Sequence, residues 1–478
     1  MYQYSSCSNT TKEAKGGFSL KILIIGCVAA GTKIAAKLKR EDRNANILIL
    51  TKDKDISYAG CGLPYYVGDV IKTREDLVVN TPDEFMNLTG AEVRTYVEVT
   101  ALDRMTKQVT AVDLTTGTES TYTYDKLVIA TGAHPFVPDC EGLGLENVFF
   151  MRTPDDADAL RKKVDAGQIK RVVVVGGGLI GLEIAENLAG RGIKTSVIDL
   201  APHILSEMLD PEISEYLENA MADAGIIPFT GVALEGITGE GKVEKVLTSK
   251  RPMKADAVVL AMGFRPNTEF LADTGLAMFK GTILVDEHML TNDPDIYAVG
   301  DCALVTNRTT GQRQWSAMGS TANITGRLAA MHIAGDRQVL NHPGVLGTGI
   351  AKLPGTNMAR TGLTEAAARK AGYDVETVVT VTDDKAHYYP GASTYLTKMI
   401  CDKGTHQLLG IQVVGKGSVD KMVDIAVTAI SLGAKLEDLQ NCDFAYTPPF
   451  STAIHPFAVT VNVLLNKLSG DFETFTPC

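Results

Sequence analysis

A single cysteine with unusual neighbours stands in residues 57–69, which read S-Y-A-G-C-G-L-P-Y-Y-V-G-D. Cys61 lies between Gly60 and Gly62, so no neighbouring Cβ atom stops a flat ring or a bulky substrate from approaching the backbone. A two-thiol redox centre would place a second cysteine five residues on, where this chain has Tyr66. One thiol can still cycle between thiolate and mixed disulfide, sulfenate or persulfide if a reductant lies beside it. The alternative is an inert cysteine in a tight turn before a helix.

The composition excludes several classes of protein. A chain of 478 residues indicates two to four domains. Its net charge of −11 disfavours a nucleic-acid partner, and no apolar run approaches the ~20 residues of a membrane helix. The eight cysteines include no C-x-x-C pair, which predicts no metal site and a reducing compartment, the cytoplasm. Residues 1–19 are polar and predict a disordered extension.

A strand, a glycine turn and a helix occur twice along the chain. The first copy runs from an apolar strand at 21–25 into G-C-V-A-A-G, and the second from a strand at 171–175 into G-G-G-L-I-G. This order places backbone N–H groups and a helix N-terminus against a pyrophosphate. Gly178 completes G-x-G-x-x-G in the second copy, whereas Val28 replaces the middle glycine of the first. The repeat predicts two dinucleotide-binding domains.

Further repeated patterns support this duplication. The pattern D-x-x-V-x-A-x-G-x-x-P begins at Asp125 and again at Asp256. A third apolar stretch ends in Gly300 and Asp301, where a carboxylate can accept a hydrogen bond from a cofactor hydroxyl. From about residue 342 the chain changes to short β-branched runs with glycine turns and then a helix, which predicts a third domain of α+β type. A duplicated fold with one working site is the alternative.

Three motifs carry a resemblance to a known family: S-Y-A-G-C-G-L-P-Y-Y from residue 57, A-H-Y-Y-P-G from residue 386 and Y-T-P-P-F-S from residue 446. With the two glycine turns, they make residues 20–470 resemble the FAD- and NAD(P)H-dependent pyridine nucleotide-disulfide oxidoreductases. The similarity is greatest to the single-cysteine branch, which contains coenzyme A disulfide reductases, persulfide reductases and NADH oxidases.

The resemblance implies an α/β fold with two Rossmann-like domains and a C-terminal α+β dimerisation domain. The FAD domain would comprise residues 20–145 and 268–341, the NAD domain 146–267 and the dimerisation domain 342–478. Hydride would pass from NADH to the flavin, and an electron pair from the flavin to Cys61 bound to substrate sulfur. A flavin beside the thiol would explain the two glycines.

The motifs and the resemblance together assign the site residues. The cofactor-binding residues are Gly26, Ala29, Gly31, Thr51, Lys52, Ala130, Thr131, Gly132, Gly176, Gly178, Gly181, Glu183, Asp199, Gly263, Gly300, Asp301 and Ala322. The residues assigned to substrate, including the phosphates of coenzyme A, are Lys39, Arg40, Ser57, Lys72 and Arg74. The catalytic residues are Cys61, Tyr446, Tyr388, Tyr389 and His455.

Four positions depart from the family pattern. Thr51 stands where an acidic residue usually binds the adenosine ribose of FAD, and Asp53 or water is a substitute. Leu179 replaces a tyrosine that often covers the nicotinamide pocket. Ala29 stands where peroxidases and some oxidases of the branch carry a histidine, which favours sulfur substrates. His455 precedes proline as in two-thiol relatives but lacks their acidic partner.

The leading prediction is a homodimeric flavoenzyme that uses NADH to reduce low-molecular-weight disulfides or persulfides, coenzyme A disulfide first among them. Asp199 lies 23 residues after Gly176, and no Arg or Lys occurs at 200–206, which favours NADH over NADPH. Tyr446 is expected to face Cys61 of the partner subunit. An NADH oxidase is the first alternative, and a flavin- and NADH-binding sensor with little turnover is the second.

Overall fold

The computed structural model describes residues 20–335 and 344–470. The extension predicted at 1–19 lies outside the described residues. The first sheet has five parallel strands, and the first glycine turn follows the central one. Four of these strands are mostly buried and apolar, as expected for a parallel sheet covered on both faces, whereas the edge strand Glu92–Arg94 exposes its two charged residues. In spatial order they are Ile296–Ala298, Lys126–Ile129, Lys21–Ile25, Asn46–Leu50 and Glu92–Arg94.

The second sheet repeats the first. Its strands are also parallel, and the second glycine turn again follows the central one. The two D-x-x-V-x-A segments occupy equivalent places, because the strands Lys126–Ile129 and Ala257–Leu260 each pair directly with a central strand. In spatial order the strands are Ile227–Phe229, Lys194–Ile198, Arg171–Val175, Ala257–Leu260 and Val148–Phe149.

The helices of these two units follow the same plan. The first glycine-turn helix, Ala29–Glu41, packs against Gly319–Ile333. The second glycine-turn helix, Leu179–Gly190, is accompanied by Pro154–Asp165 and Pro211–Asp223. Pro82–Thr89 begins with a capping box, in which Thr81 and Glu84 satisfy each other's backbone N–H groups. Among the described residues, every helix is too short or too polar to cross a membrane.

Small sheets complete the two units, and they are antiparallel except where Thr282–Leu284 pairs in parallel with Ala303–Thr306. Strands Ala133–Pro135 and Phe264–Pro266 pair with each other and so join the ends of the two repeated motifs. The remaining strands are Val97–Asp103, Gln108–Asp113 and Glu119–Thr123 in one sheet, Leu234–Thr238, Lys245–Thr248 and Met253–Lys254 in a second, and Met278–Phe279, Thr282–Leu284, Ala303–Thr306 and Arg313–Trp315 in a third.

The C-terminal unit is an antiparallel sheet with helices packed on it, as the sequence predicts. Its strands in spatial order are Gly349–Leu353, Thr356–Gly362, Leu408–Gly415, Thr394–Asp402 and Val375–Asp383. Its helices are Glu365–Lys370, Val419–Leu432, Leu436–Gln440 and Pro456–Ser469. Buried apolar residues such as Met422, Phe457 and Val461 form a separate core between helices and sheet.

A buried ionic cluster joins this unit to the second Rossmann-like unit. Lys398 of the C-terminal sheet is 1% exposed, and its Nζ lies 3.1 Å from Asp210 and 2.8 Å from Glu365. Asp210 precedes the helix Pro211–Asp223 and also accepts a hydrogen bond of 2.6 Å from Gln412. A buried charge is tolerated when it is paired and hydrogen-bonded in this way. The cluster therefore fixes how the two units are oriented.

Candidate active site

The two glycine turns have the same geometry. Gly26 and Gly176 adopt positive φ angles of 102° and 113°. A Cβ atom added to either glycine would lie 2.2 Å from a carbonyl oxygen, that of Ala130 or of Ala261. No side chain fits at that distance, so both turns need glycine for the same reason. Gly31 and Gly181 repeat the match, since a Cβ there would lie 1.9 Å from the carbonyl oxygens of Gly26 and Gly176.

The glycine in the middle of the second turn has a different explanation. Gly178 has φ −83° and ψ 179°, which any residue can adopt, and nothing lies within 4 Å of a Cβ added there. Neither backbone strain nor packing in the chain requires glycine at this position. Both glycine-turn helices begin without a side-chain cap, so their first N–H groups are open to an anion. This arrangement fits close approach by the pyrophosphate of a dinucleotide.

A cavity of about 350 Å³ lies beside the first glycine turn. It brings together six of the residues that the sequence assigns to FAD: Gly26, Thr51, Lys52, Ala130, Thr131 and Gly132. Gly300 and Asp301 follow the neighbouring strand, and a Cβ on Gly300 would lie 3.7 Å from that of Ala322. Ala29, at the first position of its helix, is exposed. The cavity fits the dinucleotide that the first turn predicts.

After the strand Asn46–Leu50, the acidic side chain is Asp53, two positions beyond Thr51, which corresponds to Asp199 of the second unit. Thr51 is buried. Its N–H donates to Arg94 O, and its carbonyl oxygen accepts from Val97 N. Lys52 pairs with Glu98 at 3.4 Å. Asp53 lines the cavity, and burial raises the pKa of its carboxyl group, an effect that Lys52 opposes. Asp53 therefore lies where a substitute for the missing acidic residue is needed.

Arg152 is a residue of this cavity that the sequence reasoning missed. Its guanidinium lies 3.5 Å from Asp301 Oδ2 and 5.3 Å from the centre of the Phe264 ring. Burial raises the pKa of Asp301, and the Arg152 charge opposes that rise. Arg152 precedes the helix Pro154–Asp165 of the second unit, so a cation from one unit enters the cavity of the other. No local motif announces such a contact.

Cys61 lies in the 3₁₀ turn Gly60–Gly62 and is exposed. A Cβ on Gly60 would meet a single atom within 4 Å, on the Tyr58 ring at 3.9 Å, whereas one on Gly62 would lie 3.1 Å from apolar side chains. Open space thus accompanies the first glycine, whereas a side chain at the second would crowd its apolar neighbours. Desolvation of the sulfur by the surrounding protein raises the pKa of the Cys61 thiol. The charges of Glu183 and Asp301 also raise this pKa, and the charge of Arg152 lowers it.

The thiol helix, Leu63–Val67, follows Cys61 directly and is held by the second unit. The Tyr66 hydroxyl donates to Asp158 at 3.0 Å, and the guanidinium of Arg161 stacks on the Tyr66 ring at 4.2 Å. Arg161 also donates to the carbonyl oxygens of Tyr66 and Ile71, at 2.7 and 2.8 Å. Tyr66 therefore anchors the thiol helix at the position where a two-thiol centre has its second cysteine.

The structure separates the basic residues assigned to substrate. Arg74 lies 2.6 Å from both Asp55 and Asp155, and Lys72 lies 3.0 Å from Asp69, so these cations already have anionic partners. Lys39 and Arg40, in the last turn of the first glycine-turn helix, form no ion pair within the described residues. Ser57 has a positive φ of 50°, and its N–H donates to Cys27 O at 2.9 Å. This bond ties the segment before Cys61 to the first glycine turn.

Two of the predicted catalytic tyrosines lie together on the C-terminal unit. Tyr388 and Tyr446 are 67% and 48% exposed, and the side-chain hydrogen bond that the Tyr388 hydroxyl makes with Tyr446 raises the pKa of Tyr388. Tyr389 is 38% exposed beside them in sequence. The structure thus groups phenols from two segments at one surface.

His455 belongs to a helix cap. It is buried, and its Nδ1 accepts from Phe457 N at 3.2 Å at the start of the helix Pro456–Ser469. Burial, together with the smaller effect of the Lys421 charge, lowers the pKa of His455 to about 4. The ring is therefore neutral at pH 7 with its proton on Nε2, which is buried and has no partner among the described residues.

Asp199 follows the strand Lys194–Ile198, where the sequence predicts a contact with the nicotinamide nucleotide. Its two carboxylate oxygens accept from Gly177 N at 2.6 Å and Ala201 N at 2.7 Å. Asp199 therefore holds the second glycine turn as well as presenting a charge beside it. Gly263, the glycine of the second D-x-x-V-x-A-x-G-x-x-P copy, has φ 94° and open space around it.

Two nucleotide-binding folds and a thiol held beside one cavity define a flavin-dependent redox enzyme of the NAD(P)H-using class. Residues 20–324 match the family model described as pyridine nucleotide-disulphide oxidoreductase, and residues 354–458 match its dimerisation domain. The chain belongs to this family, whose members bind FAD and NAD(P)H. The fold class predicted from the sequence is confirmed.

Relatives from all three groups expected are similar to this chain. The chain is 34% identical to the NADH oxidase of Methanocaldococcus jannaschii, over 94% of this chain and 100% of that protein. It is 30% identical to the coenzyme A disulfide reductase of Staphylococcus haemolyticus, over 91% and 96% of the two chains. The solved structure of an NAD-dependent persulfide reductase from A. fulgidus is 36% identical, with a TM-score of 0.91 over 96% of this chain and 86% of that one.

Proposed function

We propose that this protein uses NADH and FAD to reduce a low-molecular-weight disulfide or persulfide through Cys61, with coenzyme A disulfide as the first candidate. The observation that carries the proposal is the exposed thiol of Cys61. The helix after its turn is hydrogen-bonded to Arg161 of the second Rossmann-like unit. The open side at Gly60 leaves room for a sulfur substrate. The names of the disulfide reductase and persulfide reductase relatives support the same chemistry.

Oxygen reduction is the second candidate, because a relative that is 34% identical to this chain is named NADH oxidase. Ala29 offers no acid or base at the entrance of the first glycine-turn helix, which favours sulfur over oxygen as the acceptor. A nucleotide-binding sensor with little turnover is the third reading. No feature of the described residues favours a sensor over an enzyme, because the thiol and both glycine turns are present.

The roles of the site residues are part of this proposal. The cofactor contacts are those assigned from the sequence, with Asp53 and Arg152 added on the FAD side. Lys39 and Arg40 are the better candidates for the coenzyme A phosphates, because Lys72 and Arg74 are paired with carboxylates. The family's dimerisation domain indicates a homodimer. We infer further that Tyr446, which is hydrogen-bonded to Tyr388, faces Cys61 of the partner subunit. The catalytic roles of Tyr389 and His455 stay predictions.

An acceptor panel under nitrogen separates these functions. We expect NADH oxidation with coenzyme A disulfide or its persulfide to exceed the rate with air alone by about tenfold or more, since thiolate attack on a sulfur acceptor needs no oxygen chemistry. The panel also contains glutathione disulfide, which has no phosphate. Arg40→Gln should raise KM for coenzyme A disulfide but not for glutathione disulfide. NADH oxidation that is fast in air and absent with every sulfur acceptor would establish the oxidase, and slow turnover throughout would establish the sensor.

The choice of nicotinamide nucleotide depends on Asp199. We expect kcat/KM for NADH to exceed that for NADPH by about 100-fold, because the carboxylate accepts from a ribose hydroxyl and repels a 2′-phosphate. Asp199→Asn removes the charge and keeps one oxygen to accept from Gly177 N, while Ala201 N loses its acceptor, so the preference for NADH should narrow. Adding Leu200→Arg, at a position that is 74% exposed, should reduce the ratio of kcat/KM for NADH to that for NADPH further, because arginine binds phosphate. Equal specificity constants in the wild type would place Asp199 away from the ribose.

A further inference from the structure

Cys61 stands where the chain passes from the first Rossmann-like unit onto the second. The segment before it is attached to the first unit, because Ser57 N donates to Cys27 O at 2.9 Å in the first glycine turn and Tyr58 lines the cavity beside that turn. The thiol helix, which follows it, packs against two helices of the second unit. The position of the thiol between the two units therefore depends on both attachments.

The apolar side of the thiol helix belongs to the core of the second unit. Leu63 and Val67 are 1% and 0% exposed and lie in the same buried cluster as Leu182 of the second glycine-turn helix. A Cβ on Gly68 would lie 2.1 Å from Asn187 Oδ1 and 2.8 Å from Asn187 Cβ, so the two helices touch at this point. The thiol helix is thus continuous in sequence with the first unit but packed as part of the second.

Arg161 holds the polar end of the thiol helix. It lies on the helix Pro154–Asp165 of the second unit, and its Nη1 donates to Tyr66 O at 2.7 Å and to Ile71 O at 2.8 Å. Its Nη2 donates to Asp69 Oδ1 at 2.7 Å, and the guanidinium stacks on the Tyr66 ring at 4.2 Å. The last carbonyl groups of a helix lack partners inside it, and a cation is favoured there. One side chain of the second unit therefore fixes the segment after Cys61 at three points.

A second arginine strengthens this attachment. Arg191, directly after the second glycine-turn helix, donates from Nη1 to Val67 O at 3.2 Å. Asp165 links the two arginines, since its carboxylate lies 2.7 Å from Arg191 Nη2 and 3.4 Å from Arg161 Nε. The end of the thiol helix is therefore held by two helices of the second unit at once.

We propose that Arg161 is a positioning residue for the Cys61 thiol, which it keeps at the junction of the two units by fixing the thiol helix on the second. This inference rests on the proposed function, in which the flavin passes an electron pair to Cys61 bound to substrate sulfur. Such a step needs its reacting groups in contact, and a displacement of about 1 Å can lower a rate by about 100-fold. Arg161 bonds backbone carbonyls, a carboxylate and a ring, so it acts through the thiol helix.

Arg161→Lys in the FAD-loaded protein tests this inference, because lysine keeps the charge but cannot reproduce the planar fork between two carbonyls. We expect iodoacetamide to label the Cys61 peptide at least about threefold faster than in the wild type, since a loosened helix opens the thiol to solvent. The exposed Cys442 is the internal reference, quantified by mass spectrometry in the same digest. The absorbance band between the Cys61 thiolate and the bound flavin should weaken. Arg191→Lys, which removes one carbonyl bond, should change both readouts in the same direction by less.

Arg171→Lys is the matched control, because Arg171 belongs to the same unit but pairs with Asp256 at 3.0 Å. It should leave the labelling rate and the band at wild-type values. FAD content and Tm are measured for each variant. A lower Tm with unchanged Cys61 labelling in Arg161→Lys, or equally accelerated labelling in Arg171→Lys, would overturn the inference. If Arg161→Lys loses FAD, unchanged labelling in Arg191→Lys overturns it. Neither readout needs a disulfide substrate, so failure of the proposed reaction would be seen separately, in the acceptor panel.

Discussion

Serine in place of Cys61 is expected to lower kcat/KM for disulfide reduction by at least about 1,000-fold while FAD remains bound. A hydroxyl is not a nucleophile toward disulfide sulfur at neutral pH, so covalent exchange with the substrate is lost. The cavity beside the first glycine turn does not include Cys61 in its lining, so flavin content should be unchanged. The measurement is NADH oxidation under nitrogen with coenzyme A disulfide, together with the flavin spectrum, from which the thiolate band should disappear.

Cys442→Ser is the matched control, because Cys442 is also exposed but lies in the C-terminal unit after the helix Leu436–Gln440. It should retain wild-type turnover and the thiolate band. A fully active Cys61→Ser protein would exclude the sulfur mechanism. Oxygen consumption that survives the substitution would instead support the oxidase alternative, because it shows electrons leaving the flavin without the thiol.

The parts of the site that depend on backbone sterics could be predicted from the sequence. Gly26 and Gly176 are dictated by carbonyl oxygens 2.2 Å from where a Cβ would be, so their requirement is local and repeats in both units. The two sheets follow from buried strands that each precede a glycine turn. The class of the C-terminal unit could be predicted because turns interrupt its β-branched runs. The domain limits at 145, 267 and 341 stay predictions.

The contacts that depend on how units meet could not be predicted. Arg152 enters the cavity of the first unit from the start of a helix in the second, and no residue near it in sequence indicates this. The sequence gives Arg74 the charge to hold a phosphate, but the fold supplies Asp55 and Asp155 to neutralise it. His455 has the sequence context of an acid or base, whereas the fold uses its Nδ1 to cap a helix. For Arg152 and Arg74 a partner from the other unit decides what the side chain does, whereas His455 is held by Phe457, two residues further on.

The position of Tyr446 leads to a second large effect, which appears between subunits. Tyr446→Phe is expected to lower disulfide turnover by about 100-fold, because the phenol would donate a proton to the leaving thiolate. Pro448 and Pro449 follow Tyr446 in the same loop, and their fixed φ angles restrict the backbone there. The Tyr446 side chain is 48% exposed and lies beside Tyr388. An exposed phenol on the unit that forms the dimer is well placed to complete the site of the other chain.

Subunit exchange distinguishes this arrangement from a tyrosine that serves its own chain. Mixing equal amounts of Cys61→Ser and Tyr446→Phe chains gives about half mixed dimers at random exchange. If Tyr446 acts across the interface, each mixed dimer carries both lesions in one site and a wild-type pair in the other, so activity should rise to about one quarter of wild type. Cys61→Ser chains mixed with wild-type chains give the reference for exchange, which native mass spectrometry confirms. If exchange is complete and activity stays at the mean of the two parents, each chain uses its own tyrosine, because every site in the mixed dimer then has one lesion.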